Sequence, residues 1–132
     1  MSSARWILAI MAVLLLDVAC ANDATGGKAQ AGTLTLRLTT PHADDGAMTF
    51  TVSGGPIDSA VAVNASLRLF TLRDGATLTG AVVGALANGA VITIYVPDAG
   101  AAARYTATVL EVADRQDALR PSLAEYAITV TP

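Results

Sequence analysis

Cysteine, histidine, lysine and aromatic rings are all scarce in this chain. The one cysteine, Cys20, excludes an internal disulfide, so any domain that follows it is held by its core alone. The one histidine, His42, would have to serve any Ser-His-Asp mechanism. No G-x-S-x-G elbow accompanies it, and Ser53, the nearest serine, lies one strand away. One imidazole and no second thiol make a poor zinc ligand set. Lys28 is the only lysine, charged residues make up 14%, and the net charge is −3. That mild acidity argues against nucleic acid as a partner, which would call for a clustered basic surface. No apolar run is long enough to span a bilayer. The longest, Trp6 to Leu16 ("WILAIMAVLLL"), would reach only about 16 Å as a helix, roughly half of a hydrocarbon core of about 30 Å.

That short run, preceded by Arg5 and followed at once by small residues, is the h-region pattern of a secretory signal peptide. Two cleavage readings stand beside each other. "DVAC" resembles a bacterial lipobox, with Ala19 before the cut and Cys20 after it, although Asp17 replaces the usual apolar residue there. Lipidation needs a thiol, because the modifying enzyme builds a thioether. On this reading residues 1–19 are removed and Cys20 carries the anchor. Two or more acyl chains hold a protein stably at a membrane. Ala21 follows the cysteine where an aspartate would retain the protein at the inner membrane, which points to the outer membrane in a diderm source. On the second reading Ala19-Cys20-Ala21 is an A-x-A site, and cleavage before Asn22 leaves a periplasmic or secreted domain.

Residues 20–32, "CANDATGGKAQAG", are small and polar without hydrophobic period, as in a flexible tether. From Thr33 the period becomes two. Leu34, Leu36 and Leu38 alternate with Thr33, Thr35, Arg37 and Thr39, and Met48, Phe50 and Val52 repeat the pattern. Further extended runs follow: "IDSAVAV", "SLRLFTL", "TLTGAVV", "AVITIYV", "RYTATVLEV" and "EYAITVT". Asp74-Gly75 separates two of them as a hairpin signal, and Asn88-Gly89 is a second turn signal. This spacing predicts an all-β fold: a single antiparallel β-sandwich of about eight or nine strands over residues 33–132, preceded by a signal-peptide helix and the tether. Ile92, Ile94 and Val96 are expected inward, as are Tyr126, Ile128 and Val130. Only "ADRQDALRPS" suggests a helical turn, with Asp114 as its cap and Pro121 as its stop.

"GAVITIYVPD" (residues 89–98) and "RYTATVLEVAD" (residues 104–114) resemble the late strands of cohesin-type sandwiches, where a glycine precedes a strand that completes the core. The resemblance covers about a quarter of the chain after Cys20. It implies a two-sheet, jelly-roll-like fold and transfers no binding residues.

The chemical candidates are few. Asp44 and Asp45 share a loop with His42 and are the calcium candidates. They form no D-x-D-x-D-G loop, and paired aspartates also serve turns by capping local amides. Sugar binding relies on exposed planar rings, for which Tyr95 and Tyr105 are the candidates, Phe50 and Tyr126 being expected inward. Protein recognition needs only an open sheet face or an unpaired edge. The expectation is therefore a cofactor-free, non-enzymatic binding or assembly module of the cell envelope, anchored through Cys20 and facing a protein partner. A carbohydrate-binding accessory module is the alternative, and a hydrolase built on His42 is a distant third.

Overall fold

The structure is a computed structural model, and residues 28–132 are described here. The export segment, Cys20 and most of the tether fall outside the described residues.

Eight strands form: β1 (Gly32–Thr39), β2 (Asp45–Ser53), β3 (Ser59–Ala62), β4 (Arg68–Asp74), β5 (Thr77–Leu86), β6 (Gly89–Val96), β7 (Thr106–Asp114) and β8 (Ala127–Thr131). They make two four-stranded sheets, β3-β6-β1-β8 and β4-β5-β2-β7, with every neighbouring pair antiparallel. The expected all-β sandwich is what the chain adopts. Only the β4–β5 hairpin stays within one sheet, and every other connection passes from one sheet to the other. The two layers are thus laced together at both ends by the backbone itself.

The alternating leucines of β1 account for half the logic of the core. Leu34, Leu36 and Leu38 are buried, while Thr33, Arg37 and Thr39 face solvent. Met48, Phe50 and Val52 on β2 come from the opposite sheet, joined by Leu78 and Val82 on β5 and by Ile92, Ile94 and Val96 on β6. Phe50 lies over Gly80, where a Cβ would come within 2.4 Å of the ring. A side chain at position 80 would displace the largest fully buried side chain of the core. Just past the end of β2, Gly54 adopts φ 110° and would bring a Cβ within 1.8 Å of the Arg104 carbonyl oxygen. The "GGP" break is therefore a close backbone crossing, open only to glycine.

Strict alternation fails at the bulges, where an extra residue reverses the pleat. Leu36 pairs with Ile92 and Arg37 with Ala90, leaving Val91 unmatched, so Val91 and Ile92 are both buried. On β2 both neighbouring registers shift between Asp45 and Ala47, at Gly46. That shift turns Asp45 toward the core, whereas the parity that buries Met48 would have left it in water.

The expected helical turn in "ADRQDALRPS" is absent. Asp114 does cap, but it caps a tight turn: its Oδ1 accepts the amides of Gln116 (2.9 Å) and Ala118 (3.0 Å), and Asp117 takes φ 65°. The chain then doubles back along β7, with the Arg120 amide donating to the Val112 carbonyl at 2.8 Å and a bridge from Ala113 to Leu119. Those edge hydrogen bonds outcompete a single isolated helical turn, which fixes several torsions for one bond. Among the described residues the helical segment lies instead in the "PDAGAA" loop, where Ala99–Arg104 forms a 3₁₀ segment behind Asp98, whose side chain accepts the Gly100 amide. The alanines there have no β-branch to resist the turn.

Candidate functional site

A polar cluster closes one end of the sandwich. Asp45, at the start of β2, has no exposed surface, and four donor groups converge on it. Thr40 Oγ1 donates to Oδ2 at 2.5 Å, Arg120 Nε donates to Oδ1 at 2.9 Å, and Arg120 Nη2 lies 2.8 Å from the same oxygen. The Tyr126 hydroxyl sits 2.9 Å from Oδ1 and 3.0 Å from Oδ2. Arg120 Nη2 also reaches Asp44 Oδ1 at 2.6 Å. One guanidinium from the β7–β8 segment thus bridges two neighbouring carboxylates, Asp44 at the end of the β1–β2 loop and Asp45 at the start of β2. Asn88, in the turn before β6, accepts the Thr40 amide at 2.7 Å and ties a third connection to the cluster.

Burial on its own would push the Asp45 carboxyl up. The hydrogen bonds from Thr40, Arg120 and Tyr126, with the guanidinium charge, outweigh it and hold the carboxyl below its usual value. The Arg120 hydrogen bond does the same for Asp44. The two carboxylates in turn raise Arg120, and burial raises the Tyr126 phenol. A carboxylate so saturated with donors is a structural clamp: it has few lone pairs left for a ligand. The same arithmetic bears on calcium. Asp44 and Asp45 do lie side by side, but both face Arg120, which takes the place a cation would need. Among the described residues no group of three His, Cys, Asp or Glu side chains is arranged to hold a metal ion.

Beside the clamp lies an open cleft of about 410 Å³, lined by Pro41, His42, Arg120, Ser122, Glu125 and Tyr126 among others. His42 is exposed, its ring centroid 6.1 Å from that of Tyr126. Ser122 spends its oxygen on the Ala124 amide at 3.3 Å. The base-to-nucleophile hydrogen bond that activates a serine does not join His42 to Ser122 among the described contacts.

The two tyrosines considered for sugar binding are separated. Tyr105 is 7% exposed, and its hydroxyl donates to the Pro56 carbonyl at 2.6 Å. Its place before β7, against Gly55, makes it part of the core and corrects the expectation of a surface ring. Tyr95 remains 43% exposed on β6, in the other sheet. They share no flat surface.

Two large exposed apolar side chains stand together on β4. Phe70 is 60% exposed and Leu72 70%, and both lie on the outer face of their sheet, opposite Ala81 and Thr79 of β5. With Thr49 of β2 they line a shallow groove of about 250 Å³. The groove floor is small because Ala81 and the threonines are small, and Phe70 and Leu72 stand above it as a ridge. "SLRLFTL" alternates imperfectly in the sequence, and that imperfection was the available sign: apolar residues occupy both faces of an edge strand, so one set has no core to enter.

No family model, curated protein or solved structure matches this chain. The cohesin-like resemblance therefore rests on the sequence pattern of residues 89–98 and 104–114.

Proposed function

We propose that the chain is a non-enzymatic binding or assembly module, held at a bacterial envelope by lipid on Cys20 and recognising protein through the ridge on β4. The observation that carries the reading is the pair Phe70 and Leu72, 60% and 70% exposed on one face of an edge strand. Two large apolar side chains left in water on a domain with a complete core mark a contact surface, and an unpaired edge beside them supplies backbone donors and acceptors. The clamp at Asp45 serves this role passively, by locking one end of the sandwich and so keeping the sheet rigid.

The test uses the full chain expressed in a bacterial host and chemically cross-linked in place. Wild type is expected to give a discrete set of adducts, and Phe70→Ser with Leu72→Ser to lose about tenfold of their yield while melting unchanged, since neither residue enters the core. Adducts indifferent to both substitutions would remove the ridge from consideration. Anchoring is tested separately. Cys20→Ser should abolish incorporation of labelled fatty acid and shift the chain from the membrane to the soluble fraction. Unaltered membrane partition in that variant defeats the lipid anchor.

A further inference from the structure

The four edges of the two sheets are not equally protected. β3 has 4 residues and β8 has 5, too short to template another strand. β7 carries a bulge, where Thr49 pairs with Glu111 but Phe50 with Val109, and the 114–120 turn folds back over its end. β4 has 7 residues, pairs with β5 without a register break from Arg68–Val83 to Asp74–Thr77, and has β5 as its sole lateral neighbour among the described residues. All of its residues except Leu69 are exposed.

The direction of its free hydrogen-bonding groups follows from the hairpin. The two-residue turn Gly75-Ala76 closes on the pair Asp74–Thr77, and the closing pair of such a turn is hydrogen-bonded. Counting back from it, Arg68, Phe70, Leu72 and Asp74 direct their backbone groups to β5. Leu69, Thr71 and Arg73 direct theirs to the open edge. The side chains sort the same way: Arg68, Phe70, Leu72 and Asp74 share the outer face.

We propose that the partner of this edge is a second copy of the chain, with β4 pairing antiparallel to β4 about a two-fold axis at Thr71. This inference rests on the reading of β4 as the recognition edge. The strand "RLFTLRD" is complementary to its own reverse in that register. Leu69 meets Arg73, Thr71 meets Thr71 and Arg73 meets Leu69 as hydrogen-bonded pairs, so every outward amide and carbonyl of the strand is satisfied. Between them, where opposed side chains approach closest, Phe70 meets Leu72 and Arg68 meets Asp74, each twice by symmetry. Apolar lies against apolar and cation against anion, on the one face. Registers shifted by two residues keep the backbone parity but set Arg68 against Leu72, or Asp74 against Phe70, and lose both charge pairs. The interface is isologous, and two four-stranded sheets become one of eight.

The experiment uses the full chain carrying Cys20→Ser, so that an introduced thiol is the only one. In the proposed register the two copies of residue 71 face each other with Cα atoms about 5.5 Å apart, within the range a disulfide spans. Mild oxidation of Thr71→Cys should give a reducible dimer, and Thr106→Cys, at the exposed start of β7, should stay monomeric. Adding Arg68→Asp to Thr71→Cys opposes two acidic side chains at each end and should cut the dimer about tenfold. Adding Asp74→Arg as well should restore it, which loss of folding could not do, and circular dichroism of each variant reports its strand content. No dimer from Thr71→Cys, equal dimer from Thr106→Cys, or a dimer indifferent to Arg68→Asp each overturns self-pairing. If self-pairing fails while Phe70→Ser with Leu72→Ser still abolishes the envelope adducts, the partner is a different protein and the recognition edge stands. If both fail, the edge itself falls.

Discussion

Leu36→Asp is expected to leave the domain unfolded or nearly so. Leu36 has no exposed surface, and it pairs with Ile92 of β6 on one side and Val130 of β8 on the other. An aspartate there either stays ionised without a partner or binds a proton against its normal preference, and either course costs free energy. Adding the lost packing, the expected penalty exceeds about 4 kcal/mol, a large part of the roughly 5–15 kcal/mol that holds a domain together. Arg37→Asp, one residue along and exposed, should move stability by no more than about 0.5 kcal/mol. Urea denaturation of the two variants tests the inward and outward assignment directly. A midpoint for Leu36→Asp close to wild type would mean that β1 presents its other face to the core.

Asp45→Ala should be the next most damaging change. It leaves the Tyr126 hydroxyl without its acceptor, leaves the Thr40 hydroxyl only the longer bond to the His42 carbonyl at 3.3 Å, and takes from Arg120 its buried partner, while Asp44 remains. Breaking a buried, donor-saturated carboxylate site costs about 3–5 kcal/mol. Tyr126→Phe removes one hydrogen bond to the same charge and should cost less, about 1.5–3 kcal/mol. The pH dependence carries a second signature. The Asp44 and Asp45 carboxyls are held below their usual value in the folded chain, so the unfolded chain binds protons first as pH falls. The stabilisation is complete above the unfolded carboxyl pKa of about 3.9 and is lost below it, toward the depressed folded values. Wild type should therefore weaken steeply below about pH 4, and Asp45→Ala more gently from its lower starting point. Parallel acid limbs in the two proteins would show that the cluster contributes nothing through ionisation.

The layered fold was legible because each of its main strands announces itself locally. Leu34, Leu36 and Leu38 repeat at period two, Met48, Phe50 and Val52 do the same, and glycine turns separate the runs. Such a pattern admits one arrangement, a pleat with one wet and one dry face. The clamp was half legible. Asp44 and Asp45 stood out as a pair, but Arg120, their partner, lies some 75 positions along the chain. Nothing near Arg120 marks it, and the bulge at Gly46 that turns Asp45 inward is invisible to a strict alternation. Tyr105 was misplaced for a related reason: no period governs a residue between a 3₁₀ segment and a strand, and its burial depends on the distant Gly55 and Pro56.

The sequence by itself determined the class of fold, the faces of the strands that alternate without a bulge and the glycine turn of the β4–β5 hairpin, because those follow from interactions among residues a few positions apart. Only the tertiary structure decided which strands lie side by side, which carboxylate is buried, and which strand is left at an open edge with its apolar side chains in water. These are matters of long-range pairing, where the free energy comes from groups that meet only after the chain has folded.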